Sequence, residues 1–171
     1  LIKPMAKQLS KVLCQFDADA ERFIRLGVDA DNLVVTGSIK FDIAITDTIL
    51  SQGNQLRIQL GQDRPVWIAA STHEGEDEIL LSIHKQLLSD ISNALLIVVP
   101  RHPERFKKVT TLSASMGLST VTRSSNSATT TNTQVYVGDT MGEMMTLLQA
   151  ADVCFMGGSL IGKKVGGHNL L

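Results

Sequence analysis

The sequence lacks a membrane-length apolar run, a basic block and a useful number of cysteines, and each absence removes a class of protein. No apolar stretch approaches the ~18 to 20 residues needed to cross a bilayer as a helix. The opening residues do not have the layout of a signal peptide, and the chain starts at Leu1 rather than Met, as a piece of a longer protein would. With a formal net charge of −1 and no Lys/Arg cluster longer than a pair, there is no electrostatic footprint for sequence-independent DNA or RNA binding, so nucleic acid is not an expected partner. The only cysteines, Cys14 and Cys154, lie in apolar stretches and read as reduced, buried strand thiols in a reducing cytoplasm. There is no Cys-x-x-Cys pair, no His-Glu-x-x-His around His73-Glu74, no Walker loop and no Gly-x-Ser-x-Gly elbow. Metal and serine-hydrolase chemistry therefore have no support, and His84 reads as a helix-surface histidine.

What is present is a globular balance: 171 residues, 43% hydrophobic and 19% charged, enough for one domain with a real core. Apolar runs of strand length recur at 11–15, 33–35, 66–70, 95–99, 134–137 and 152–155, and amphipathic stretches at 18–26, 43–60, 74–89, 103–116 and 142–150 fall between them. The runs at 66–70 and 95–99 are apolar throughout rather than alternating, as strands buried on both faces are. The expectation is an α/β fold, a Rossmann-like parallel sheet sandwiched by helices. The turn-rich Gly61-Gln62-Asp63-Arg64-Pro65 suggests a boundary, leaving 1–60 as flanking and connecting structure and 63–171 as the main unit. Residues 122–133, rich in Ser, Thr and Asn, read as a mobile surface loop near Asn126.

In open parallel sheets ligands bind beyond the carboxyl ends of the strands, so four loops are candidates. Ser71-Thr72-His73-Glu74 offers hydroxyls before a helix start, suited to phosphate or simply to capping, with Glu74, Glu76, Asp77 and Glu78 complementing the helix dipole. Pro100-Arg101-His102-Pro103 presents a guanidinium able to grip phosphate or carboxylate, or to pair with a neighbouring acid; Arg105 reads as a solvated helix charge. Gly138-Asp139-Thr140-Met141-Gly142-Glu143 suits a flat base lying against main-chain groups and Met141, and Asp139 or Thr140 is expected to cap the next helix. Gly157-Gly158-Ser159, followed by Gly166-Gly167-His168-Asn169, lets backbone approach a ligand closely. Lys163-Lys164 between them reads as a solvated pair.

Taken in order, Gln15-Phe16-Asp17-Ala18-Asp19, Thr36-Gly37-Ser38-Ile39-Lys40-Phe41-Asp42, Ala70-Ser71-Thr72-His73-Glu74-Gly75-Glu76, Pro100-Arg101-His102-Pro103-Glu104-Arg105, Gly138-Asp139-Thr140-Met141-Gly142-Glu143, Gly157-Gly158-Ser159 and Gly167-His168-Asn169 closely resemble the Kdo (3-deoxy-D-manno-octulosonic acid) transferases. The resemblance covers almost the whole chain. It implies the C-terminal, donor-binding half of a GT-B glycosyltransferase, with 1–60 a remnant of the N-terminal acceptor domain plus a connecting helix, and 63–171 an incomplete CMP-Kdo domain. It implies inverting transfer of Kdo from CMP-Kdo to a lipid A precursor in lipopolysaccharide biosynthesis, with no cofactor or metal. The general base and the acceptor site would belong to the N-terminal half. Carried over position by position, Arg101 stabilises the leaving group. Ser71 and Thr72 meet the phosphate or the Kdo carboxylate. His102, Gly138, Met141, Gly142 and Glu143 surround the cytidine, and Gly158, Ser159, Gly167, His168 and Asn169 close over the donor. Relatives continue past Leu171 with a Glu-Pro whose acid holds the ribose, so the piece alone is expected to be soluble and inactive. The parent would work at the cytoplasmic face of the bacterial inner membrane. A UDP-sugar enzyme of the same fold and a non-catalytic nucleotide-binding module remain open alternatives.

Overall fold

The structure, a computed structural model, describes residues 2–38 and 45–161. The chain divides after residue 44 into two compact units. The first holds α1 (Ile2–Ala6), β1 (Val12–Cys14), α2 (Asp17–Leu26) and β2 (Leu33–Val35). Acidic Asp17 and Asp19 complement the positive end of α2, and Gly27, at φ 103°, ends it by returning its N–H to Ile24. β1 and β2 pair in parallel, with Val12 opposite Leu33, so the expected strand–helix–strand is present. Helix α1 was not expected.

The second unit contains α3 (Asp47–Leu60), β3 (Val66–Thr72), α4 (Glu76–Asp90), β4 (Leu95–Pro100), α5 (Phe106–Ser115), β5 (Thr120–Thr122), β6 (Val135–Val137), α6 (Met144–Gln149) and β7 (Val153–Met156). Its strands form one sheet in the order β5-β6-β4-β3-β7, and every pairing is parallel. Strand β4 is buried along its whole length, as its unbroken apolar run requires. Alternate strand residues serve opposite faces. Ile68, Ala70, Ile97 and Tyr136 pack with Leu56 and Leu60 of α3 and Leu147 of α6. Ala69, Leu96, Val98 and Val137 pack with Leu80 and Leu81 of α4 and Val109 of α5. The sandwich is therefore αβα. Strand β5, Thr-Val-Thr, is too short and too polar to register as an apolar run.

Helix α3 belongs to this unit rather than connecting to it. Its Gly53 lies so close to α6 that a Cβ there would come within 2.5 Å of the Gln149 Cβ. The turn at Gly61–Pro65 is consequently internal to the unit, and the compact body starts near residue 45. Two arginines fasten the amino edge of the sheet. The Arg57 guanidinium donates to the Ala150 carbonyl at 3.1 Å and to Asp152 at 2.9 Å. Asp152 in turn accepts the Val66 N–H at 2.8 Å. Arg64 is buried and donates to the carbonyls of Asn93, Ala94, Thr130 and Thr133.

Three sequence expectations change. His84 is fully buried, not on a helix surface. Its Nδ1 accepts the Trp67 indole N–H at 3.1 Å, and its Nε2 lies 2.8 Å from the Gln134 carbonyl, the arrangement of a neutral imidazole with the proton on Nε2. Cys14 is buried, but Cys154 is exposed, because β7 is an edge strand. The Ser/Thr-rich segment is a strap. β5 and β6 are parallel, so the chain must return from the carboxyl to the amino edge between them, a crossover usually made by a helix of about a dozen residues or more. Residues 123–134 make it with a single 3-10 turn, Arg123–Ser125, and otherwise irregular chain, tied by Arg123 and Ser124 at one end and by Arg64 at the other.

Candidate donor-binding edge

The strand order reverses at β3. The chain moves from β3 to β4 on one side and reaches β7 on the other only after α6. Loops on either side of such a reversal diverge and leave a crevice at the carboxyl edge. The loops after β3 and β7 meet there. Ser71, at φ 54°, is a left-handed residue inside a strand, and the β3–β4 register slips between Ala70 and Thr72. This bulge is pressed against Gly157, where any Cβ would lie 2.2 Å from the Ser71 carbonyl oxygen. Only glycine fits, and its N–H bonds the Ala70 carbonyl at 2.8 Å.

The sequence-predicted residues divide into those that face out and those turned in. Ser71 is half-buried at the crevice, while Arg101, His102, Met141, Gly142 and Ser159 are exposed. Among the described residues the Arg101 side chain has no protein partner, so its charge is available to a ligand, and its own N–H fixes the β3 end through the Thr72 carbonyl at 2.9 Å. His102 packs edge-on to His73 with ring centres 6.2 Å apart. Thr72 does not face the crevice. It is fully buried, and its hydroxyl donates to Asp77 at 2.6 Å. Nor do Ser71 and Thr72 cap α4, whose N-cap is Gly75, without a side-chain bond. Gly138 is buried, and its missing side chain leaves room for Leu147 and Val99 rather than for a ligand. Gly167, His168 and Asn169 lie outside the described residues.

Two groups of residues that support the edge were not read from the sequence. Arg105 is not a solvated charge. It forms an ion pair with Asp77 and also donates to the Thr72 carbonyl, with side chains only 12% and 5% exposed. Burial pushes the Asp77 carboxyl above its ordinary value, against the pull of the Thr72 hydroxyl and of Arg105. Around the β6 loop, Arg123 grips Glu143 with two bonds, at 3.1 and 2.8 Å, and the Thr140 hydroxyl donates to the same carboxylate. Arg123 is the main reason that Glu143 titrates below the usual glutamate range. Asp139 accepts the Ser124 N–H at 2.8 Å instead of capping α6, whose N-cap is Glu143, with no side-chain bond. The strap thus sets the shape of the loop that carries Met141 and Gly142. The signal for it was a lone Arg in a Ser/Thr-rich segment, which nothing in the local pattern distinguishes from a solvated one.

A family model described as 3-deoxy-D-manno-octulosonic-acid transferase (kdotransferase) matches residues 1–43. The 3-deoxy-D-manno-octulosonic acid transferase of Haemophilus influenzae is 44% identical over 99% of the chain and 39% of its own length. That of Bordetella pertussis is 36% identical over 95% of the chain and 38% of its own length. The crystal structure of the C-terminal CMP-Kdo binding domain of WaaA from Acinetobacter baumannii superposes with a TM-score of 0.68. It is 38% identical and covers 74% of this chain and 65% of that one. Along almost its whole length the chain is similar to part of the Kdo transferases. It spans about two fifths of the length of these two curated relatives. The α/β unit from residue 45 has the parallel five-stranded sheet of the CMP-Kdo binding domain, and the first 43 residues match the family model separately. The loops after β3, β4, β6 and β7, which carry the resemblance noted in the sequence, stand on one edge of one sheet.

Proposed function

We propose that this chain supplies the donor side of a Kdo transferase, holding CMP-Kdo at the carboxyl edge of its sheet while Kdo passes, with inversion, to a lipid A precursor in lipopolysaccharide biosynthesis. The observation that carries the reading is the exposed guanidinium of Arg101 at the carboxyl end of β4, without a protein partner among the described residues, in a unit whose fold and sequence are similar to those of a CMP-Kdo binding domain. CMP leaves as an anion. A guanidinium already in place, with no acid bonded to it among the described residues, stabilises that charge more in the transition state than in the ground state. Ser71 and Ser159 offer further polar contacts to phosphate or to the Kdo carboxylate. Exposed Met141 and the open backbone at Gly142 suit the flat face of cytosine. The reading draws on no metal or cofactor, and it assigns the general base and the lipid acceptor to the N-terminal half of a full-length enzyme at the cytoplasmic face of the inner membrane.

The test is transfer by the full-length protein with Arg101→Ala, together with titrations of CMP and UDP. The expected outcome is a fall in kcat of about a hundredfold or more and a preference for CMP. Unchanged transfer would remove Arg101 from this role, and preference for UDP would redirect the whole reading to another class of sugar nucleotide.

A further inference from the structure

Glu76 is fully buried, and no lysine or arginine bonds to it among the described residues. Its carboxylate instead accepts three main-chain N–H groups: His73 at 2.9 Å, Gly158 at 2.9 Å to both oxygens, and Leu160 at 3.1 Å. Burial opposes the charged form, but the amides of Gly158, His73 and Leu160 outweigh it and hold the carboxyl below the ordinary glutamate range. A buried ion is retained only where hydrogen bonds replace water around it. Here they come from both sides of the strand-order reversal, His73 from the loop after β3 and Gly158 and Leu160 from the loop after β7.

The bonding pattern sorts the donors of the glycine loop. Gly157 N–H is taken by the Ala70 carbonyl, and Gly158 and Leu160 by Glu76. Ser159 lies between them, exposed, with its hydroxyl on the Met156 carbonyl at 2.9 Å and its N–H without a partner among the described residues. We infer that Glu76 is a positioning residue of the donor site: its carboxylate locks the turn after β7 in the one shape that leaves Ser159 for an anionic group of the donor. The inference rests on the reading that CMP-Kdo occupies this edge. Glu76 acts through the turn, not by contact, since its charge is spent on main-chain amides and would repel a phosphate.

The experiment uses Glu76→Gln in the full-length protein, with two readouts. Amide exchange at Gly158 and Leu160 should accelerate at least tenfold while amides of β4 stay protected, because an uncharged amide oxygen is a weaker acceptor than a carboxylate. The KM for CMP-Kdo should rise about tenfold, with the acceptor KM unchanged. Glu76→Asp, which keeps the charge but withdraws it by one methylene, should lie between the two and serves if the glutamine variant fails to fold. Unaltered exchange at Gly158 and Leu160 overturns the inference, as does altered exchange with an unaltered donor KM. If the unsubstituted protein shows no saturation by CMP-Kdo, the donor reading fails and carries this inference with it; only the exchange arm then reports on the turn.

Discussion

Single residues of this chain carry charge or polarity into places that local pattern does not advertise. Asp77 and Arg105 form a nearly closed ion pair beneath the β3 end, and removing one partner of such a pair strands the other. Arg105→Ala is expected to cost about 3 kcal/mol at neutral pH, read from the urea midpoint, and the double variant Arg105→Ala/Asp77→Asn should recover much of the loss. His84 gives a pH signature. Burial, the largest influence, holds its imidazole below the ordinary value, and the nearby Arg64 charge adds to this while the Gln134 carbonyl works against it. A histidine whose folded value is depressed contributes stability that is complete above its unfolded value of about 6.5 and is lost as pH falls through the folded one. Denaturant midpoints should therefore fall from pH 7.5 to 5.5, and His84→Gln should remove that part of the slope. None of the three was legible in sequence, because an acid, an arginine or a histidine on an amphipathic helix looks the same whether its neighbours are water or protein. Arg101 was legible, since its position at a strand's carboxyl end follows from the apolar run before it.

At the scale of elements, strands announced themselves where the sheet is deepest and failed to at its margin. Strands β3 and β4 are legible because burial on both faces forces unbroken apolar runs; β5 is not, because three residues on an edge need only pair. Glycines were legible as punctuation but not by purpose. Gly157 and Gly142 stand in loops of similar appearance, yet the first is required by contact with Ser71 and the second only by its φ of 80° in open space. Gly157→Ala should lower stability by ~1–3 kcal/mol through forced displacement of β7 from β3. Gly142→Ala should cost about 1 kcal/mol, from backbone strain alone. Thermal midpoints of the two variants, measured side by side, compare the causes, and a smaller loss at Gly157 than at Gly142 would contradict the contact at Gly157.

For the whole molecule, the parallel sandwich was legible because helix and strand periods alternate, whereas the limits of its compact body were not. A turn-rich stretch marks a boundary only if no side chains bridge it, and Arg57, Leu56 and Leu60 bind α3 to the rest of the sandwich. A piece starting at residue 45 should unfold in one cooperative transition, while a piece starting at residue 61 should lose it; circular dichroism during melting distinguishes them. The strap over residues 123–134 has a consequence of its own. Because it is fastened to Glu143 and Asp139 at one end and to Arg64 at the other, it works as a gauge whose length counts for more than its letters. Exchanging Ser127 or Ala128 for Asn or Thr should pass unnoticed. Deleting one residue there would take up the slack from one anchorage or the other, and the loop bearing Met141 would register the missing length.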